Sequence, residues 1–261
     1  MSKVKVMKGL VGSALLASLT AAIAIVPMSA QAPQGAGRQG GAPSPRTAAP
    51  TDVTGLWVSL ITEDWRWRMR TPLKGDYASL PLTDAARKVA DAWDPAKDTA
   101  AGDACKGYGG AAIMRQPGRV RISWQDDTTL KIETEAGTQT RLFSFGAPAA
   151  GTPSWQGTSQ ATWLPAGGNR RGGGPPRGGQ LRVITTNLRP GYLRKNGVPY
   201  SGNARVTEHF TRVSEDNGDA YLIVTTLVED PQYLNARFIV SSHFKKVPDG
   251  SAWNPTPCAA E

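Results

Sequence analysis

The sequence predicts a mostly β protein that folds as an antiparallel β-barrel of about 8–10 strands with two short helices. Three observations support this prediction. Many short segments alternate apolar and polar residues, Gly- and Asp-rich turns separate them at close spacing, and helical periodicity is confined to one stretch. Two stacked sheets would produce a similar pattern, so a β-sandwich is the alternative.

The strand pattern recurs from the start of the domain to its end. In chain order the segments are GLWVSLIT, WRWRM, RVRISW, TLKIET, TQTRLFSF, GTSQATW, QLRVITTNL, ARVTEHFTRV, DAYLIVTTLV and RFIVSSHFKKV. Between the second and third segments, Thr83 is a suitable N-cap for a helix over DAARKVADAW. Asp94 and Pro95 predict the start of a second short helix, because Pro is favoured at the first helical position.

The first 32 residues have the features of a secretory signal peptide. Lys3, Lys5 and Lys8 precede an apolar run from Leu10 to Val26, and small residues follow it. The run is shorter than the ~20 residues that span a bilayer, so we expect cleavage, with an uncleaved anchor as the alternative. The expected location is periplasmic or secreted, with no stable membrane span after cleavage.

Two segments are too rich in Gly, Pro and Ala to bury apolar surface. Residues 33–51 are expected to form a disordered linker, and the Gly/Arg/Pro-rich residues 165–179 (PAGGNRRGGGPPRGG) are expected to form a disordered loop between two strands. Residues 52–261 then form a single barrel domain.

Cys105 and Cys258 are the only cysteines, and an exported chain permits them to join. The disulfide would tie the C-terminal segment WNPTPC to the helical region and stabilise the fold by about 4–5 kcal/mol in the chain-entropy model. A two-cysteine metal site is the rival interpretation, but CxxC spacing is missing.

Net charge does not indicate a nucleic-acid partner. The value of +9 includes the signal-peptide lysines and several arginines of the Gly/Pro-rich segments, so the folded part is close to neutral. A nucleic-acid binder carries its basic charge on a structured face. We therefore expect no nucleic-acid partner.

Two similar segments follow two of the predicted strands, and they suggest a ligand site. Thr185–Gly197 (TTNLRPGYLRKNG) and Thr225–Arg237 (TTLVEDPQYLNAR) have opposite charges after their strands. In a meander of three strands the first and third run the same way, so both exits lie at one end of the barrel. There a ligand mouth would be lined by Arg189, Tyr192, Arg194, Glu229, Asp230 and Tyr233. The alternative is a surface Arg–Glu pair worth ~0–1 kcal/mol.

Trp65 and Trp67 are further candidates for contact with a ligand. In WRWR, read as a strand, the two Trp share one face and Arg66 and Arg68 share the other. One face could therefore line an aromatic cavity, while packing in the core explains most of the other Trp residues.

Candidate catalytic residues are few: Glu63, His209, Glu229 and His243. Carboxylates can transfer protons when their environments separate their pKa values, and a histidine can act as a single general base. His209 and His243 are expected to share a sheet face two strands apart, roughly 10 Å from each other, which is too far for a shared metal. Nucleophile-elbow, phosphate-loop and dinucleotide motifs are missing, so neither a metal nor a cofactor is predicted.

Gly55-Leu56-Trp57 opens the first strand and resembles the Gly-x-Trp opening of lipocalins, which implies a lipocalin-like barrel that binds a small ligand. A wider resemblance rests on TEDWRWRM, GDYASLPL, WDPAKD, TLKIETEAGTQTRLF, RPGYLRKNGVPYS, VEDPQYL and WNPTPC. These strings resemble a family of exported bacterial proteins. That resemblance implies export, and it implies no activity and no functional residue.

Three functional hypotheses follow. The first is a small-molecule binder whose apolar or aromatic ligand is held by Trp and Tyr and oriented by Arg189 or Arg194. The second is a cofactor-independent barrel enzyme, a proton-transfer lyase or isomerase or a hydrolase. The third is an envelope interaction protein without a pocket.

Overall fold

Nine strands close into a barrel in this computed structural model, which describes residues 42–148, 151–167 and 178–260. In chain order the strands are β1 (Gly55–Leu60), β2 (Arg119–Asp126), β3 (Thr129–Thr134), β4 (Gln139–Ser144), β5 (Thr158–Pro165), β6 (Gly179–Thr186), β7 (Gly191–Arg194), β8 (Val198–Tyr200), β9 (Arg205–Ser214), β10 (Ala220–Glu229) and β11 (Phe238–Val247). All except β7 and β8 belong to the barrel, in the order β1-β11-β10-β9-β6-β5-β4-β3-β2. The predicted mostly β, lipocalin-like barrel is confirmed, and the sandwich alternative is not.

The barrel is not antiparallel throughout, which corrects the prediction. Phe143 and Ser144 of β4 pair in parallel with Ser159 and Gln160 of β5, and the other barrel pairs are antiparallel. Strand directions cannot alternate all the way round a closed ring with an odd number of strands, so one pair must be parallel. Such a parallel pair needs a longer connection than a hairpin turn, and thirteen positions separate the end of β4 at Ser144 from the start of β5 at Thr158.

Three short helices lie between β1 and β2: α1 (Trp65–Arg68), α2 (Asp84–Asp91) and α3 (Pro95–Ala100). Short 3₁₀ turns follow at Ala104–Tyr108 and Ile113–Arg115. The predicted caps are confirmed, because Thr83 Oγ1 accepts from the backbone N of Ala86 and Asp94 Oδ1 accepts from that of Ala96.

The prediction of a strand over WRWRM was wrong, because Trp65–Arg68 form α1 and Met69 is its C-cap. Four residues of alternating type fit a helical turn as well as a strand, so their periodicity does not separate the two. The chain enters α1 through Asp64, whose φ of 52° lies in the left-handed region that Asp tolerates better than most residues.

The exits of β1, β6 and β10 lie at one end of the barrel. The antiparallel pairs between these strands and their neighbours require all three to run in the same direction. Residues 61–118, 187–204 and 230–237 leave from this end and cover it. They pack there around a buried cluster that includes Leu82, Ala86, Leu193, Val198, Tyr200 and Leu234. We call this the capped end.

The interior of the barrel is filled with side chains. A second apolar cluster, formed mostly by buried strand residues, includes Trp57, Ile122, Leu130, Phe143, Phe210 and Phe244. Trp57, from the Gly-x-Trp opening, is fully buried, and its Nε1 donates to the carbonyl of Val53 at 3.0 Å. The interior also holds an ion pair between Arg141 and Glu208, neither of which has solvent exposure.

The predicted disulfide between Cys105 and Cys258 is confirmed. It joins the first 3₁₀ turn to the C-terminal tail, which pairs with the β3–β4 turn before reaching the bridge. There the backbone N of Thr256 donates to the carbonyl of Glu135 at 2.8 Å. The tail therefore runs from the far end of β11 to the capped end and is fixed there.

Several sequence predictions fall wholly or partly outside the described residues. The signal peptide (1–32), the first part of the linker (33–41) and most of the loop at 165–179 (168–177) lie outside them. The rest of the predicted linker contacts the barrel. Trp163 Nε1 donates to the carbonyl of Pro45 at 2.8 Å, and the backbone N of Arg46 donates to that of Asp127. None of the helices in the described part of the chain has the length and apolar character needed to cross a membrane.

Candidate functional site

A pocket of about 350 Å³ lies at the capped end, between α1 with the residues that follow it and the segment that contains the second 3₁₀ turn. Five cationic side chains line this pocket, and no carboxylate is among its lining residues: Arg68, Arg70, Arg115, Arg194 and Lys195. Two depressions elsewhere on the described surface, of about 450 and 540 Å³, are not lined by any buried arginine. Three buried arginines in its lining, Arg68, Arg115 and Arg194, make the pocket at the capped end the candidate site.

Two of the arginines are held by the acidic pair that follows β1. The Arg68 guanidinium pairs with the Glu63 carboxylate, and Arg68 Nε donates to the carbonyl of Arg115 at 2.9 Å. Arg115 Nη2 donates to Asp64 Oδ2 at 3.0 Å. Each guanidinium keeps one buried nitrogen without a protein partner, Nη2 of Arg68 and Nη1 of Arg115.

Arg194 differs from these two because it forms no ion pair with a carboxylate of the described residues, although Asp64 and Asp76 are near enough to favour its charge. Its side chain is only 4% exposed, and none of its three guanidinium nitrogens makes a hydrogen bond within the described chain. Its guanidinium carbon lies 4.5 Å from the centroid of the Trp67 ring, so the charge is stacked on an aromatic face. Buried charges are usually paired, which makes this side chain the exceptional feature of the pocket.

The pKa values of two arginines reflect their burial first and the neighbouring charges second. Burial, together with the neighbouring charge of Arg115, lowers the pKa of Arg194 to about 10. Burial also lowers the pKa of Arg68, although Glu63 opposes that effect. The charged form of both arginines is therefore less favourable than in water, and a bound anion would reverse this.

Trp67 is held over Arg194 by a hydrogen bond of its own. Its Nε1 donates to Asp76 Oδ2 at 3.1 Å, and the same oxygen accepts from Arg66 at 2.8 Å. The Asp76 carboxylate is thus occupied by two donors on α1. Two other lining residues are also in contact, since Lys195 Nζ lies 5.2 Å from the ring centroid of Tyr108.

The mouth predicted from the two similar segments is not assembled as expected. Both segments do lie at the capped end, but Arg189 pairs with Asp103 at 3.1 Å and stacks on Trp155. Glu229 pairs with Arg237 on the surface at 2.7 Å. Arg189 and Glu229 therefore do not form the predicted ion pair, because each is paired with a different residue.

The remaining mouth residues have structural contacts. Asp230 is buried and accepts from the backbone N and the Oγ of Ser201. The Tyr192 hydroxyl donates to Asp98 Oδ2 at 2.7 Å, and Tyr233 packs against the cluster of the capped end. Of the eight predicted ligand residues, the structure places two, Trp67 and Arg194, together in the pocket. Trp65 is not among the lining residues and is 66% exposed.

The candidate catalytic residues are also dispersed, with one exception. Glu63 and His243 meet on the outer surface, where His243 Nδ1 lies 3.4 Å from Glu63 Oε2 and 3.1 Å from Thr62 Oγ1. His209 lies on β9 and faces Arg182 of β6 across the sheet. Burial and, to a smaller degree, the charge of Arg182 lower the pKa of His209.

Both histidines lie on outward-facing positions of the sheet, as their shared parity predicted. Within the described ranges, no group of three or more His, Cys, Asp or Glu side chains is arranged to hold a metal ion. The structure therefore brings only Glu63 near the pocket, through its contact with Arg68.

No family model and no curated protein matches this chain. The functional argument therefore rests on the pocket itself. Two of its arginines were not among the sequence-based candidates. Arg68 was noted only as part of a strand face, and Arg115 lies in IMRQPG, which carries no recognisable signal. Their position beside Arg194 depends on contacts between segments far apart in the chain.

Proposed function

We propose that this protein binds a small anionic ligand in the pocket at the capped end, with Arg194 as the central contact. The observation that carries the proposal is the buried guanidinium of Arg194, which has no hydrogen-bond partner on any nitrogen. A planar guanidinium fork matches carboxylate and phosphate oxygens, which are the natural partners for such a group.

The energetic argument concerns the cost of burying a charge. An ion removed from water without a partner destabilises a protein by several kcal/mol, so proteins rarely retain one without a purpose. In this pocket Glu63 and Asp64 form ion pairs with Arg68 and Arg115, whereas Asp64 and Asp76 act on Arg194 only from a distance and form no ion pair with it. A ligand anion would supply the missing charge and accept hydrogen bonds from the free nitrogens of all three arginines.

The lining of the pocket favours a different kind of ligand from the apolar or aromatic one predicted from the sequence. The apolar or aromatic ligand of the first hypothesis would need an internal cavity, but side chains fill the barrel interior. Within the pocket, Trp67, Met69 and Tyr108 offer apolar surface beside the cations. A negatively charged group attached to a small organic body fits this lining, and the volume of about 350 Å³ lies near the lower end of the usual range of roughly 300–1,000 Å³.

Export is part of the same proposal. The disulfide between Cys105 and Cys258 is typical of an oxidising compartment and agrees with the signal-peptide pattern of the first residues. We place the binding function in the periplasm or outside the cell. Mass spectrometry of the protein from culture fractions would test this, since a mature chain lacking residues 1–32 is expected.

Binding is tested by thermal unfolding with small anions at constant ionic strength. Phosphate, sulfate and benzoate, each compared with chloride, are the probes. At about 100 times Kd, a ligand that binds only the native state should raise Tm by roughly 5–10 °C. At least one probe should do so for the wild type and for Arg189→Gln, which removes the same charge outside the pocket. It should not do so for Arg194→Met.

The Arg194→Met variant has a second readout that separates binding from structure. Without any anion it should be as stable as the wild type or more stable, because it removes a buried charge that has no partner. If Arg194→Met is instead strongly destabilised, or if no probe raises Tm, the proposed function is wrong. Arg194→Lys, which keeps the charge but lacks the planar fork, should retain a weaker response.

A further inference from the structure

The segment that borders the pocket exposes apolar side chains in a regular pattern. Trp65, Met69 and Leu73 are 66, 57 and 83% exposed, although each is of a type that proteins usually bury. Each is followed directly by an exposed cation: Arg66, Arg70 and Lys74. We call residues Trp65–Lys74 the Trp/Arg surface.

This combination is typical of a protein surface that rests on a membrane. Trp is enriched at the boundary between headgroups and acyl chains, and adjacent apolar side chains enter the outer part of the hydrocarbon. Lys and Arg at the same depth are attracted to anionic headgroups. Trp65, Met69 and Leu73 gain little stability from burial because all three are exposed, and exposed apolar side chains close together in one segment suggest an interaction site.

The Trp/Arg surface and the pocket are continuous. Met69 and Arg70 are exposed and also line the pocket, and Trp67 lies between Trp65 and Met69 with its ring over Arg194. A lipid that touches the exposed apolar side chains would therefore have its headgroup beside the three arginines. The charge fits as well, because the pocket lining carries cations and no carboxylate.

We infer that the anion bound by this pocket is the phosphate headgroup of an anionic membrane phospholipid, and that the Trp/Arg surface is the membrane contact. The inference rests on the proposed function and names its ligand class. The protein would sit on a bilayer surface with Trp65 and Leu73 at the level of the headgroups. Arg194, Arg68 and Arg115 would hold the phosphate.

Vesicle sedimentation with the full mature protein tests this inference. The vesicles contain phosphatidylcholine alone, or phosphatidylcholine mixed with phosphatidylglycerol or with phosphatidic acid. The variant Trp65→Ser/Leu73→Ser removes two apolar contacts that do not line the pocket. Its matched control is Leu142→Ser/Ile239→Ser, which alters two exposed apolar residues on the barrel strands β4 and β11.

The wild type and the control should bind the anionic vesicles, and Trp65→Ser/Leu73→Ser should bind them about tenfold or more weakly. Soluble phosphate and phenyl phosphate should still raise the Tm of Trp65→Ser/Leu73→Ser as they do for the wild type. Arg194→Met should lose both responses in large part. Lipids with a brominated acyl chain should quench Trp fluorescence in the wild type more than in a Trp65→Ser variant.

The outcomes separate the two proposals. If phenyl phosphate binds in an Arg194-dependent way but anionic vesicles do not, the lipid inference is overturned and the ligand is a soluble anion. If vesicles bind equally well to the wild type and to Trp65→Ser/Leu73→Ser, the contact is general charge attraction and the inference is again overturned. If neither vesicles nor soluble anions bind, both proposals fail.

Discussion

Arg141 and Glu208 form a bidentate ion pair in the interior of the barrel. Arg141 Nη2 lies 2.6 Å from Glu208 Oε2 and Nη1 lies 3.0 Å from Oε1, and neither side chain is exposed to solvent. Thr185 Oγ1 accepts a further hydrogen bond from Arg141 at 3.3 Å, and Ser159 bonds to Thr185. This network occupies the space in which a lipocalin-like barrel would hold a ligand, so the interior contributes to stability and the candidate site lies outside it.

We expect Glu208→Ala to destabilise the protein strongly. It leaves the Arg141 guanidinium buried without its countercharge, which typically lowers the free energy of unfolding by about 3–5 kcal/mol. Urea denaturation followed by circular dichroism measures the change. Glu229→Ala is the matched control, because it breaks the exposed pair with Arg237 and should cost at most ~1 kcal/mol.

The double variant Arg141→Met/Glu208→Leu refines this prediction. An apolar pair of similar size removes both charges together, so it should recover most of the stability lost in Glu208→Ala. If Glu208→Ala is no less stable than Glu229→Ala, the internal pair does not have the role assigned to it here.

We expect removal of the disulfide to affect both stability and the pocket. Cys105 and Cys258 are 153 residues apart, so Cys105→Ser/Cys258→Ser should lower the free energy of unfolding by up to about 5 kcal/mol in the chain-entropy model. The bridge also fixes the tail that carries Thr256 to the pocket wall. Sulfate affinity should therefore fall even at temperatures where the variant stays folded. Unchanged stability on reduction with dithiothreitol would contradict the first part.

Stability should decrease at alkaline pH through Tyr77. Burial, with the hydrogen bond that its hydroxyl donates to Asp91, raises the pKa of Tyr77 to about 12 in the folded protein. The unfolded chain binds fewer protons at this residue above pH ~10, the ordinary Tyr value. The contribution of this proton is present below pH 10 and is lost as pH rises through about 12.

Urea denaturation between pH 9 and about 12 measures this effect. The free energy of unfolding of the wild type should fall by no more than ~2–3 kcal/mol through this residue. Tyr77→Phe has no hydroxyl to ionise, so its decline over the same range should be smaller. Equal declines for the two proteins would show that Tyr77 keeps an ordinary pKa.

Glu63 should restrain the affinity of the pocket for anions. It pairs with Arg68 and accepts a hydrogen bond from Thr62 Oγ1 at 2.6 Å, so Glu63→Gln leaves more positive charge beside Arg194. Sulfate affinity should rise by about fivefold, equivalent to ~1 kcal/mol between partly exposed charges. Calorimetric titration measures it, with Asp219→Asn as the control because Asp219 pairs with Lys245 outside the pocket lining. Weaker sulfate binding by Glu63→Gln would show that the carboxylate supports the site.

Periodicity predicted the barrel strands well where the alternating run was long. Along β10 (Ala220–Glu229) buried and partly exposed residues alternate at every position, so the pattern was unambiguous. WRWR was too short for such a test, and α1 turned one of its arginines inward and left one of its Trp residues in solvent. β7 and β8 were missed because RPGYLRKNGVPY has too few residues between turns to show a period.

The candidate site could be predicted only in part. Local sequence selected Arg194 as part of a barrel mouth and Trp67 as part of an aromatic cavity. The structure instead places both in the pocket at the capped end. Their mutual contact joins residues 127 positions apart, and Arg115 reaches Asp64 across 51 positions. The periodicity of a short segment cannot predict contacts between residues so far apart in the chain, because these contacts depend on how the capped end packs.

The sequence by itself determined the β-barrel class, the disulfide, the helix caps and the shared exit of β6 and β10, because each depends on short-range pattern or on residue chemistry. The tertiary structure decided the closure with one parallel pair, the filled interior and the gathering of three arginines with Trp67. These features depend on which distant segments pack together, and in particular on which charged side chains form ion pairs. The guanidinium of Arg194 is packed without an ion-pair partner, and this feature defines the candidate site.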